Sequence, residues 1–113
     1  MNTVTLNVSS SGETRRRMAA AFRGEEQGNF LSFASAELLW KVLTAKRWDI
    51  LRTMTGQGPL AIREVARRVG RDVKAVHGDV HTLLESGLLE RMDQRICFPF
   101  DAIHVDFTLT RAA

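Results

Sequence analysis

The sequence predicts an α+β fold, mainly α. Three observations carry that prediction. Residues 62–89 hold two short amphipathic segments on either side of Gly70, and the second runs into Gly87 and the apolar pair Leu88-Leu89. Apolar residues recur at three- and four-residue spacing between Leu38 and Leu84, the period of helices with one buried face. Near both ends of the chain, apolar and polar residues alternate instead, as in half-buried strands. Together they describe a winged helix-turn-helix with an N-terminal strand–helix extension and a C-terminal strand.

Val4-Thr5-Leu6-Asn7-Val8 alternates and predicts a strand, followed by a turn from Ser9 to Gly12. Glu13 to Arg23 reads as a helix, with Met18 and Phe22 four residues apart beside Arg15, Arg16 and Arg17. Gly24 and Gly28 bracket a polar loop, and a short apolar stretch runs from Phe30 to Phe33. Ser35 suits the N-cap of a helix over Ala36–Leu43, whose Leu38, Leu39, Val42 and Leu43 share a face. Thr44 caps a further helix, Ala45–Thr55, expected to bury Trp48, Leu51 and Met54. Gly56-Gln57-Gly58-Pro59 then breaks the chain.

Ile62, Val65, Ala66 and Val69 form the core stripe of the next helix, and Gly70 ends it where a left-handed residue is needed. Asp72 caps the following helix, where a carboxylate suits the positive helix end. Val76, Val80, Leu83 and Leu84 point one way, and Gly87 ends the helix. Leu88–Met92 and Arg95–Phe98 read as strands around a tight Asp93-Gln94 turn. Pro99 to Asp101 breaks the ladder, and Ile103, Val105, Phe107 and Leu109 alternate along a last strand.

A chain of 113 residues is expected to be one domain, large enough for a single hydrophobic core. Residues 1–34 are expected to dimerise, 35–98 to bind DNA, and 99–113 to complete a sheet or the dimer. Apolar residues at 44% and charged residues at 26% fit a water-soluble domain. No apolar run approaches the roughly 20 residues that span a bilayer, so no membrane partner is expected. Met1 to Gly12 lacks the basic and apolar regions of a secretory signal. Cys97, the single cysteine, can form neither an internal disulfide nor a Cys-based zinc site, which suits a reducing cytoplasm.

A net charge of +3 and a pI of about 9.8 permit nucleic acid without demanding it. The distribution says more. From Ile62 to Gly78 there are five basic residues (Arg63, Arg67, Arg68, Arg71, Lys74) against Glu64 and Asp72. Residues 92–113 carry two basic and three acidic ones. Positive charge therefore sits where phosphate contacts need it, although a solvated helix face accounts for a basic run equally well.

On a helical wheel Val76, Val80 and Leu83 define the inner side of a recognition helix over about residues 72–86. Lys74, His77, Gly78 and His81 fall opposite, with Arg71 just ahead of the first turn. Such a helix enters the major groove with its N-terminal half, so these five residues are the candidates for base and phosphate contacts. A mid-helix glycine costs about 1 kcal/mol relative to alanine. Gly78 therefore marks either a close backbone approach or a tolerated surface glycine. His77 and His81 also have the spacing of a metal pair, with Asp79 or His104 as a conceivable third ligand. Neither offers a distinct metal-site spacing with the pair, and neither metal nor cofactor is expected. Arg91, Gln94 and Arg95 sit on the wing, about residues 88–98, where minor-groove or backbone contacts arise. Arg63, Arg67 and Arg68 touch phosphates or solvate their helix, and Arg67 or Arg68 equally suits a pairing with Asp79 or Glu64. Thr55 and Gln57 are secondary phosphate candidates.

Over roughly residues 45–98 the pattern Ile62, Val65-Ala66, Val69-Gly70, Ala75-Val76, Val80, Leu83 and Gly87-Leu88-Leu89 resembles winged-helix regulators of the MarR and ArsR type. The whole chain is similar to a smaller group of prokaryotic DNA-binding proteins through Phe33-Ala34-Ser35 and Gly70-Arg71-Asp72-Val73-Lys74-Ala75-Val76. Some members of that group are antitoxins encoded beside a toxin. The resemblance implies a dimeric repressor and a toxin partner. The chain departs from the usual pattern at Ala61, where a capping Ser or Thr is common, and at Gly78, where a polar or basic reader is usual. It also lacks the metal-sensing cysteines of many ArsR-type members.

The leading expectation is a sequence-specific regulator of transcription, a repressor, that binds double-stranded DNA as a homodimer on a palindromic operator. The end strands leave edges that need covering and are expected to pair, within one subunit or across the dimer. Val4, Leu6, Val8, Met18, Phe22, Val105 and Phe107 are the dimerisation candidates. The alternatives are an antitoxin that represses its own operon and binds a toxin, and a winged helix used only for protein contacts. An enzyme is not expected: the sequence offers no nucleophile with a nearby base and no phosphate-cradling glycine loop. Ser35 and Thr44 read as caps, Glu25-Glu26 as a loop pair, and Trp40 and Trp48 as core or interface residues.

Overall fold

The computed structural model describes residues 2–8 and 29–108 and is an α+β fold. The elements run β1 (Thr3–Val8), β2 (Asn29–Phe33), α1 (Ala36–Val42), α2 (Ala45–Met54), α3 (Ile62–Val69), α4 (Val73–Ser86), β3 (Glu90–Met92), β4 (Arg95–Cys97) and β5 (Ala102–Asp106). Two compact units divide them: Met1–Trp40 with Ala102–Ala113, and Lys41–Asp101. The expected turn at Ser9–Gly12, the helix over Glu13–Arg23 with Met18 and Phe22, and Leu109 at the end of the last strand lie outside the described residues.

The first unit contains a three-stranded sheet in the order β2-β1-β5, with both pairings parallel. Leu6 stands opposite Leu31 on one side and Val105 on the other. The end strands thus pair within a single chain, and the apolar stretch Phe30–Phe33 is itself part of a strand. Residues on alternate positions face opposite sides of a sheet. On one face Val4 and Leu6 are completely buried. On the other, Asn7 is buried and its Oδ1 accepts a hydrogen bond from Ser32 Oγ at 2.9 Å. A central strand covered on both faces is the usual state of a parallel sheet. It also corrects the assignment of Val4 and Leu6 to a dimer surface, because their side chains pack inside one copy. Val8, Val105 and Phe107 are half-buried, and the Phe107 ring meets Trp40 edge-on at 6.0 Å.

The cap at Ser35 is present: the Leu38 N–H donates to Ser35 Oγ at 3.2 Å. Only Leu39 of α1 is buried, and Leu38 is exposed, so the stripe is narrower than its four apolar positions suggest.

In the second unit Thr44 caps α2 by accepting from the Arg47 N–H. The helix buries Ile50, Leu51 and Met54, while Trp48 is 42% exposed. The sequence spacing places Trp48 inside. The stripe instead runs through positions 47, 50, 51 and 54, and its first member is Arg47, half-buried. Left-handed glycines Gly56 (φ 73) and Gly58 (φ 71) turn the chain. Leu60 then exchanges two backbone hydrogen bonds with Ile96, each 2.8 Å. A breaker-rich loop thereby supplies a third partner to the β3–β4 hairpin.

Helix α3 starts at Ala61 without a side-chain cap and buries Val65 and Ala66. Gly70 takes the left-handed conformation, and the Arg71 N–H closes onto Ala66 O at 3.1 Å. The Asp72 side chain accepts from the Lys74 N–H at 3.1 Å and opens α4, which buries Val76, Val80 and Leu83. Asp72→Ala is expected to cost about 0.5–2 kcal/mol, the usual worth of an N-cap. Urea unfolding followed by circular dichroism measures it, and an unchanged midpoint would mean that the cap adds nothing. Leu88 and Leu89 are buried ahead of the ladder, so β3 is shorter than the expected Leu88–Met92. Met92 pairs with Arg95 across Asp93-Gln94, with Asp93 left-handed at φ 56.

Candidate nucleic-acid interface

The outer face of α4 brings together Lys74, His77, Gly78 and His81, all exposed. It is formed because Val76, Val80 and Leu83 turn the opposite side inward. Lys74 and His77 make no ion pair or side-chain hydrogen bond among the described residues. His81 Nε2 pairs with Glu85 one turn on. A methyl group added at Gly78 would touch nothing within 4 Å, so packing inside the chain does not require glycine there. The Gly78 carbonyl accepts from Thr82 Oγ1 at 3.4 Å.

Arg71 is not part of this face. Its Nη2 stands 2.8 Å from Asp79 Oδ2, an ion pair without hydrogen-bond alignment. Arg47 approaches the same carboxylate from α2, Nε to Oδ1 at 3.0 Å. The Arg47 Nη1 also donates to the carbonyls of Lys41 at 2.7 Å and Val42 at 3.3 Å. Burial pushes the Asp79 carboxyl up, but the guanidiniums of Arg71 and Arg47 outweigh it and hold the group below its ordinary value. This clasp joins α2, the α3–α4 turn and the middle of α4.

A second carboxylate gathers the other arginines. Arg67 grips Glu64 with two bonds, Nε to Oε1 at 2.8 Å and Nη2 to Oε2 at 2.6 Å. Arg68 Nε adds a third at 2.7 Å, and its Nη1 reaches Gln57 Oε1 at 3.0 Å. The hydrogen bonds from Arg67 and Arg68 lower the Glu64 pKa to about 2. The sequence left Glu64 and Asp79 open as partners of Arg67 and Arg68, and the structure pairs both with Glu64. Among the five basic residues of 62–78, Arg63 and Lys74 are the two without a partner among the described residues.

On the hairpin, Arg91, Gln94 and Arg95 are exposed. Gln94 and Arg95 line an open depression with Pro59, Met92 and Asp93. Sequence reasoning missed Arg47 and the pairing of Arg47 and Arg71 with Asp79, the Leu60–Ile96 bridge, and the 40% exposure of Val73 at the start of α4. The arginine at the first position of the α2 stripe was the available signal. Among the described residues no group of three or more His, Cys, Asp or Glu is placed to hold a metal ion. No helix among them is long and apolar enough to cross a membrane.

The sequence profile of the HVO_A0114 family matches residues 42–105. No curated protein and no solved structure matches the chain.

Proposed function

The chain belongs to the HVO_A0114 family, and we propose that it is a sequence-specific double-stranded DNA-binding repressor of transcription that acts in the cytoplasm. The observation that carries this reading is the outer face of α4. It presents Lys74, His77, Gly78 and His81 to solvent, and the interior of the chain makes no use of Lys74, His77 or the space over Gly78. The order α2, α3, α4 and hairpin, with Leu60 bridged to Ile96, supports a winged helix-turn-helix of the MarR or ArsR kind. Helix α4 is then the recognition helix in the major groove, and Arg91, Gln94 and Arg95 on the wing reach the adjacent backbone or minor groove. Arg63 joins them as a phosphate contact. One copy reads one half-site, so a homodimer on a palindromic operator completes the reading.

Lys74→Ala and His77→Ala are expected to weaken operator binding without lowering the unfolding midpoint. A lost base contact costs about 1–3 kcal/mol, or roughly 5- to 150-fold in affinity. A lost phosphate contact lowers the salt slope by about 0.9. Fluorescence anisotropy over a series of salt concentrations, on a duplex selected from a random pool, makes the measurement. Unchanged binding in both variants would remove α4 from the interface.

A further inference from the structure

We infer that Asp79 is a specificity-determining positioning residue: it holds Arg71 off the DNA backbone and so limits the sequence-blind part of binding by α4. The inference rests on the DNA reading of α4. Arg71 immediately precedes Asp72, the cap of α4. Phosphates are drawn to such a helix end. An extended arginine there adds affinity for any duplex, because phosphate contacts carry no sequence information. In this chain the side chain is folded away instead, 21% exposed, against a carboxylate that is itself 16% exposed.

The two arginines on Asp79 are held unequally. Arg47 keeps the Lys41 and Val42 carbonyls as further partners. Arg71 has the single ion pair, and its Nη1 is buried with no hydrogen-bond partner among the described residues. When the charge on Asp79 is removed, Arg47 therefore stays and Arg71 is released. Glu64 differs in kind. Its pairs with Arg67 and Arg68 lie at the surface, where salt screens them and phosphate exchanges for the carboxylate. The half-buried Asp79 pair is shielded from that exchange, so its arginine is withheld.

The test compares salt slopes for the wild type, Arg71→Ala, Asp79→Asn and the double variant. Two duplexes of equal length serve as probes, one selected from a random pool and one scrambled. Arg71→Ala is expected to leave the wild-type slope unchanged. Asp79→Asn is expected to steepen it by about 0.9, one added phosphate contact. It is also expected to bind the scrambled duplex more tightly and so narrow the ratio between the two. The double variant returns to the wild-type slope. A merely structural role for Asp79 produces no steepening. A shallower slope in Arg71→Ala overturns the inference, as does a folded Asp79→Asn protein with no steeper slope. If Asp79→Asn does not fold, the Arg71→Ala slope decides alone. A wild type with no salt-sensitive binding to either duplex overturns the DNA reading itself, and the inference with it.

Discussion

Leu83→Ala is expected to cost about 2–5 kcal/mol, and with it the DNA binding proposed for α4. Leu83 is completely buried and belongs to the inner face of α4 with Val76 and Val80. Its carbonyl also accepts the N–H groups of Leu88 at 3.1 Å and Leu89 at 3.3 Å. The side chain therefore packs at the point where the helix ends and the hairpin begins. Truncation removes apolar area from the core and leaves a cavity that close-packed neighbours refill only in part. A loss of that size is a large share of the 5–15 kcal/mol typical of whole domains. Urea unfolding reads the cost. A loss below about 1 kcal/mol would show that α4 does not lean on this face.

At pH 7, Asp79→Ala is expected to destabilise the protein by about 1–3 kcal/mol. The cost arises because two half-buried guanidiniums lose their shared counter-charge. It is set below the figure for fully buried pairs because these side chains keep 16–21% exposure and solvent screens them. The effect has a pH signature with a definite sign. The folded Asp79 carboxyl lies below its ordinary value of 3.8. Its contribution is present in full above that value and fades as pH falls through the folded pKa. Wild type and variant should therefore differ at neutral pH and converge in acid, as the pH falls below the ordinary carboxylate range and the folded carboxyl takes up its proton. A gap that persists undiminished in acid would mean that the clasp holds by shape and not by charge.

Features specified by a few neighbouring residues were legible in the sequence. The caps at Ser35, Thr44 and Asp72, the left-handed stops at Gly70 and Gly87, and the Asp93-Gln94 turn each depend on local chemistry. Pairings between distant segments were not. Nothing near Phe30 announces that it runs parallel to β1, and nothing near Gly58 announces the bond from Leu60 to Ile96. Spacing alone turns Trp48 inward because the true stripe position holds an arginine, a residue type that is buried only when partnered. The partner, Asp79, is on another helix. The same gap separates charge in the sequence from charge on the surface. The links from Glu64 to Arg67 and Arg68 follow helical spacing, whereas Arg71 precedes its helix and folds back onto Asp79 in the middle of α4, outside that spacing. The outer face of α4 could be read because periodicity alone sorts its residues from Val76, Val80 and Leu83.

The parallel pairing of Thr3 with Ala102 has a consequence for the order of assembly during synthesis. Strand β1 is made before both of its neighbours, and one of them emerges only after the whole of Lys41–Asp101. That intervening unit is rich in helices with nearby contacts, which form early and fast. Val4 and Leu6 meanwhile wait on a strand with one edge open, the kind of edge that invites chaperones or another nascent chain. On the ribosome, the half proposed to read DNA is thus built before the sheet is closed.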